Sequence, residues 1–352
     1  MPAITSDAHS FSIDTKRIWV VSGTVHMHRV PSESWRARLL DAKRAGLNTI
    51  ETPVLWSACE PRPGGFDFKG QNDVSRFLEI CSELGLRAIL RIGPCVGDAY
   101  DMGGMPPWLI DICEGRLRTN DTEFLARCST WYSKLASEIK KHQITAPASS
   151  AHRPVIAVQI EHEWCCDDPE LATSYLGQLN RLAREAGIVV PAINRNNAYA
   201  KAEGEIDGWA GDEHLFAITR QLRTVSPSDP RMVIGLLTSR HDAWGEAARS
   251  EKTAGEATRN ACEVLAAGGQ FNLDPFVSGV NSAFMGGRLG AGAHRFSPAE
   301  VDAAAPVGVS GEKRASYHAL RRICMFASSF ERVFAGLDPT DHAAVVSPEA
   351  LL

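Results

Sequence analysis

The sequence predicts a single (β/α)8 barrel. Strand-like and helix-like segments alternate eight times over about 320 residues, which favours a closed barrel over an open doubly wound sheet. The strand segments are short, apolar and rich in Val and Ile, as expected of a parallel sheet covered on both faces. Polar and acidic residues gather just after the strands, the end at which such barrels carry their chemistry.

In order, Ile18–Val21 is the first expected strand, and Pro31 to Gly46 has helical spacing with Pro and Ser at its start and Gly at its stop. Thr49–Trp56 is the second strand and Asn72–Gly85 the helix after it, with Phe77, Leu78, Cys81 and Leu84 on one stripe. Arg87–Gly93 is the third strand. Asn120 or Asp121 caps a helix that runs to about His142. Val155–Ile160 is the fourth strand and Pro169–Gly187 its helix; Val189–Ile193 and Ile206–Ala210 follow as strands, then a helix over 214–223. Met232–Leu237 is the seventh strand, 251–267 a helix, Gln270–Leu273 the eighth strand and Lys313–Phe330 the closing helix. Residues 1–336 therefore read as one domain and 337–352 as a C-terminal tail.

The 352 residues are 44% hydrophobic and 22% charged, ordinary globular composition. A formal net charge of −5 without a basic stripe gives no electrostatic case for nucleic acid or an anionic membrane surface. No apolar run is long enough to span a bilayer, and the first ten residues lack the basic start and apolar core of a signal peptide. The nine cysteines are odd in number and scattered, which reads as free thiols in a reducing compartment, so the expected location is cytoplasmic. No cofactor is expected, and the sequence leaves the oligomeric state open.

The chain is organised around Pro154–Trp164, where the fourth strand runs straight into Glu161-His162-Glu163. Ionised groups are costly to desolvate, so two carboxylates beside a buried strand call for a reason. Glu163 reads as a catalytic acid. Glu161 reads equally as a paired structural acid or a site residue.

Long, ordered motifs carry a resemblance. They include Ser22-Gly-Thr-Val-His26 with Arg29 and Pro31, Ala45 to Thr52, Trp56 with Glu60-Pro61, and Gly65 to Phe68. Leu90 to Pro94, Gly103 to Pro106 with Trp108-Leu109, Leu117 to Asp121, and Val158 to Glu161 with Glu163 complete them. Over roughly residues 18–335 the chain resembles the catalytic barrel of glycoside hydrolase family 35, the β-galactosidase family. The resemblance implies a TIM barrel, a carbohydrate substrate and Glu163 as general acid/base. It places the sugar contacts at His26, Trp56, Glu60, Asp98, Tyr100, Glu161 and His162.

The resemblance also implies a nucleophile on the seventh strand, and there this chain departs. The family's Pro-x-Met-Val-x-Glu pattern aligns with Pro230-Arg-Met-Val-Ile-Gly235, which puts glycine where the attacking carboxylate belongs. The family's Tyr on the second strand is Pro53, its Ala-Glu-Trp reads Asp98-Ala-Tyr100, and the Asn before the acid/base is His162. A remodelled sugar site follows. Candidate second carboxylates at strand ends are Asp212, Glu213, Asp242 and Asp274, with Asp98 also near the third strand. One beyond about 6.5 Å from Glu163 would imply inversion.

Two other readings stand beside this one. The protein could bind carbohydrate without cleaving it, with Trp56, Trp108, Trp164, Trp209 and Trp244 as a stacking platform. Alternatively His26, His28, His162, His214 and His241 could hold a metal that activates water. Adjacent Cys165 and Cys166 lack chelating spacing, and no metal site is assigned.

Overall fold

The computed structural model describes residues 3–97, 99–147, 152–166, 168–239, 243–245, 252–288 and 295–337. Its centre is a parallel sheet of Val21–Thr24, Thr49–Pro53, Arg87–Gly93, Val155–Ile160, Ala192–Asn194, Ile206–Asp207, Trp209–Gly211, Met232–Leu237 and Gln270–Asp274. Each strand but Ile206–Asp207 pairs with the next in sequence, and Gln270–Asp274 pairs with Val21–Thr24. Ile206–Asp207 and Trp209–Gly211 pair outward with the fifth and seventh strands and are joined through Gly208. They act as one sixth strand, so the barrel closes with eight. A Cβ on Gly208 would sit 2.6 Å from the Asn194 carbonyl oxygen and 2.7 Å from Ile234, so only glycine lets the strand kink there.

Helices form the outer layer where the sequence has amphipathic stripes. Val74–Glu83 buries Phe77, Leu78 and Cys81, and Asp73 caps it by accepting from the Arg76 N–H. Thr122–Ile139 is capped by Asp121, Pro169–Glu185 by Asp168, and Ala254–Ala266 by a Thr253/Glu256 capping box. Trp35–Arg44, Leu215–Val225 and Ala315–Ser329 complete the ring of longer helices. No helix among the described residues is long and apolar enough to cross a membrane.

Three expectations need correcting. The first barrel strand is Val21–Thr24; Lys16–Ile18 instead ends a small antiparallel sheet with Ile4–Ser6 and Phe11–Ile13. The fifth strand is Ala192–Asn194 instead of Val189–Ile193. The connection over residues 195–205 carries no helix, so the strand–helix alternation misses one beat. The expected tail lies outside the described residues beyond Leu337.

Candidate active site

The interior of the barrel near the carboxyl ends of its strands is polar and tightly paired. Glu51 on the second strand accepts two hydrogen bonds of 2.8 Å from Arg91 on the third, and a third of 2.7 Å from the Thr24 hydroxyl. Arg91 also stands 3.7 Å from Asp274 at the end of the eighth strand. Asp274 is bonded in turn to the Nη1 of Arg195, the residue after the fifth strand. Arg195 Nε lies 3.4 Å from Glu163 Oε1. Acids and guanidiniums thus alternate from Glu51 to Glu163. Buried charges are tolerated only when paired in this way. Burial alone would raise the Asp274 carboxyl, but Arg195, Arg91 and His26 outweigh it and hold it well below the usual carboxylate range.

The turn after the fourth strand presents the acid. Glu161 and Glu163 both have positive φ, 61° and 47°, unusual for residues with side chains. The turn is fastened from the fifth strand: Glu163 N–H donates to the Arg195 carbonyl at 3.2 Å, and Trp164 N–H to Asn196 Oδ1 at 2.9 Å. These bonds point the two carboxylates in different directions. Glu163 is turned outward with its side chain 56% exposed. Glu161 is fully buried, held by Arg118 at 2.7 Å and the Tyr175 hydroxyl at 2.6 Å. Of the two roles open to Glu161, the geometry is that of a paired structural acid.

His162 lies between them, buried, its ring against Gly97, where a Cβ would come within 2.2 Å of Cδ2. Gln159 Nε2 donates to the Glu161 carbonyl at 2.8 Å and lies 3.2 Å from His162 Nδ1. A carbonyl can only accept, so the Gln159 atom facing it is the amide nitrogen, and His162 Nδ1 accepts from that same group. Burial, reinforced by Arg195, Arg91 and Arg118, holds the imidazole well below its usual pKa. His162 is therefore neutral and carries its proton on Nε2, 3.7 Å from Glu163 Oε1.

The other expected sugar contacts are engaged elsewhere. Trp56 is buried, stacked on Trp131 at 5.8 Å, and donates to Glu60 at 2.6 Å. Glu60 also accepts from the Gly64 N–H, so this pair braces a loop under the surface and offers no face to a ligand. His26 and the Tyr100 hydroxyl are 2.8 Å apart and both buried, with the Arg29 guanidinium 3.8 Å over the Tyr100 ring. Burial pushes the Tyr100 phenol up to about 12. Trp164 is buried against Tyr175, and of the five expected stacking residues Trp244 is the most open, 72% exposed. Asp98 and Asp242 lie outside the described residues.

The remaining candidate carboxylates are not brought to Glu163 as free groups. Asp274 is 2% exposed and shares Arg195. Asp212, paired with Lys252, and Glu213 line a surface cleft of 810 Å³ between Leu215–Val225 and Ala254–Ala266. The histidines do not converge either. His28 accepts from the Leu55 N–H and is held near 4 by burial, His214 is exposed at the start of its helix, and His241 lies outside the described residues. No group of three potential metal-binding side chains occurs among the described residues.

On the seventh strand Gly235 pairs with Ala210. A Cβ there would stand 2.7 Å from Arg195 Cζ and 2.8 Å from the Ala210 Cβ. The space a side chain at 235 would use is thus occupied by the Arg195 guanidinium. Arg195 was not among the expected site residues; its signal is its place, directly after the fifth strand.

The sequence pattern of Glycosyl hydrolases family 35 matches residues 10–326. The chain belongs to this family. It is 30% identical over 318 residues to Beta-galactosidase-1-like protein 2 of Homo sapiens, covering 89% of this chain and 49% of that protein. It is 32% identical over 332 residues to the Beta-galactosidase of Felis catus, covering 91% of this chain and 47% of that protein. The chain spans about half the length of the curated relatives it matches. Among solved structures, the beta-galactosidase from the psychrophilic Marinomonas ef1 superposes with a TM-score of 0.64 at 11% identity, covering 91% of this chain and 62% of that one. At that identity the likeness speaks for the fold alone.

Proposed function

We propose that this family 35 barrel is a glycoside hydrolase in which Glu163 protonates the departing oxygen and no glycosyl group is carried on the seventh strand. The observation that supports it is the outward turn of Glu163, exposed where every other described carboxylate of the network is buried and paired. A retaining pair needs a second carboxylate about 5 Å away, and glycine at 235 supplies none. Water then attacks directly. Its oxygen bonds to the anomeric carbon as the glycosidic bond breaks, the Glu163 proton goes to the leaving oxygen, and the water's proton goes to solvent.

Arg195 makes this route slow. Unit positive charges about 4 Å apart repel by about 4 kcal/mol at an effective dielectric of 20, so a guanidinium lying that near the oxocarbenium-like carbon would slow the step roughly a thousandfold. Pairing with Asp274 offsets part of that. The Felis catus relative named above is called Beta-galactosidase; with Pro53 and His162 at altered positions, we propose a sugar other than a plain β-galactoside.

The same guanidinium favours a second reading, carbohydrate binding without cleavage. A panel of aryl and natural glycosides separates the two when incubated with wild type and Glu163→Gln and followed by product analysis and calorimetry. Turnover by wild type that is lost in Glu163→Gln supports the hydrolase. Binding by both proteins with cleavage by neither selects the binding reading.

A further inference from the structure

We infer that a single ligand hydroxyl docks against Glu163 Oε1, with His162 and Arg195 as the residues that read it; this deepens the carbohydrate reading above and rests on it. Two N–H groups converge on that oxygen without bonding to it. Arg195 Nε is 3.4 Å away and His162 Nε2 is 3.7 Å away, both beyond the 2.7–3.2 Å of an ordinary N–H···O bond. Arg195 Nε is buried and has no hydrogen-bond partner. A buried donor left unpaired costs about 1–3 kcal/mol, so such a group marks a place where an acceptor is expected.

The chemistry of the three atoms selects the occupant. Neutral His162 presents an Nε2 proton, Arg195 presents an Nε proton, and Glu163 Oε1 accepts, which it does equally when the group carries its proton on Oε2. A hydroxyl has one proton to give and two lone pairs to receive, which matches one acceptor and two donors. An ether or carbonyl oxygen could not donate to Glu163, and an ammonium could not accept from either nitrogen. The entry side is set by exposure: His162 and Arg195 are 4% and 3% exposed in their side chains, while Glu163 is open. The exposed Glu163 side chain shifts to admit the hydroxyl, which takes over its contact with the two donors. Glu163 Oε2 remains available to deliver the proton.

An anionic sugar group is a poorer fit. Arg195 already serves Asp274 and faces Glu163, so a carboxylate or sulfate would meet two negative charges on one guanidinium.

The test uses the tightest-binding methyl glycoside of a panel and its monodeoxy analogues, titrated calorimetrically into wild type, His162→Phe and His162→Gln. One deoxy position is expected to lose about tenfold or more in wild-type affinity. That loss is expected to shrink at least about threefold in His162→Phe, where only Arg195 and Glu163 still hold the hydroxyl, and to be kept in His162→Gln, whose amide can donate in place of the imidazole. If every deoxy analogue binds like its parent, or the loss is undiminished in His162→Phe, the hydroxyl site is wrong while the carbohydrate reading stands. If no glycoside binds wild type, both fall. Retention of the loss in His162→Gln guards against a misfolded Phe variant.

Discussion

A Cβ on Gly235 would stand 2.7 Å from Cζ of Arg195, so a guanidinium from the fifth strand fills the room that a side chain on the seventh would need. Glycine at 235 and arginine at 195 are therefore a coupled pair. Gly235→Ala is expected to destabilise the fold by about 1–3 kcal/mol through overpacking, read as a lower urea midpoint at unchanged slope. Gly235→Glu alone is expected to give no gain in glycosidase rate, because its carboxylate would meet Arg195 first. A gain in rate from the single substitution would show that the guanidinium yields.

Arg195 also holds Asp274, and removing one partner of a buried ion pair strands the other. Arg195→Met is expected to cost about 3–5 kcal/mol, and adding Asp274→Asn should recover part of it, leaving the double variant more stable than the sum of the singles predicts. Additive losses in a denaturation cycle would mean the two side chains are not coupled. The pH dependence has a definite sign. Asp274 is depressed in the folded state, so its contribution is present above the unfolded value of about 3.9 and is lost as pH falls toward the folded one. Asp274→Asn should lose less stability than wild type on acidification below pH 4.

Much of the fold could be read from the residues, and the misses have physical causes. Arg87–Gly93 and Met232–Leu237 lie where their apolar runs put them, because Gly85 and Pro94 bound the first and Pro230 and Thr238 the second. Ile18-Trp-Val-Val21 is equally apolar but straddles two elements: Trp19 and Val20 pack in the core between the hairpin sheet and the barrel. Periodicity reports burial and cannot say which element does the burying. The site divides the same way. The position of Glu163 at the end of the fourth strand follows from its motif. Which carboxylate turns outward depends on the backbone at 161–163 and on bonds from Arg195 and Asn196, residues more than thirty positions away. The resemblance places Trp56 and Glu60 among the sugar contacts, and a motif does not report that both side chains are buried.

That pair gives a separate prediction. Trp56→Phe deletes the indole N–H that donates to buried Glu60 at 2.6 Å. A stability loss of about 1–3 kcal/mol is expected, with glycoside affinity unchanged within twofold. A selective loss of affinity with normal melting would return Trp56 to the binding surface.

Directly before Ile206–Asp207, Glu205 is almost fully buried, accepting from Asn180 at 2.8 Å and from the Ala202 N–H at 2.7 Å, and burial pushes it up to about 7. With its folded value raised, its contribution is complete below the unfolded value of about 4.3 and is lost as pH rises to about 7. Glu205→Gln removes that decline. Between pH 4.5 and 8 the stability of the variant relative to wild type should rise by on the order of 3 kcal/mol, measured by urea denaturation across the range. A constant difference would mean that Glu205 is ionised throughout.

The central claim is that Glu163 delivers a proton although no carboxylate stands at 235. Leaving-group dependence tests it most directly: kcat for wild type and Glu163→Gln on a matched pair of glycosides, one with an alkyl and one with a dinitrophenyl leaving group. For the alkyl glycoside, Glu163→Gln is expected to fall by about 10²–10⁴, and for the dinitrophenyl glycoside, which leaves without protonation, by far less. Equal rates for the two proteins on the alkyl glycoside, or equal losses on both substrates, would contradict proton delivery from Glu163.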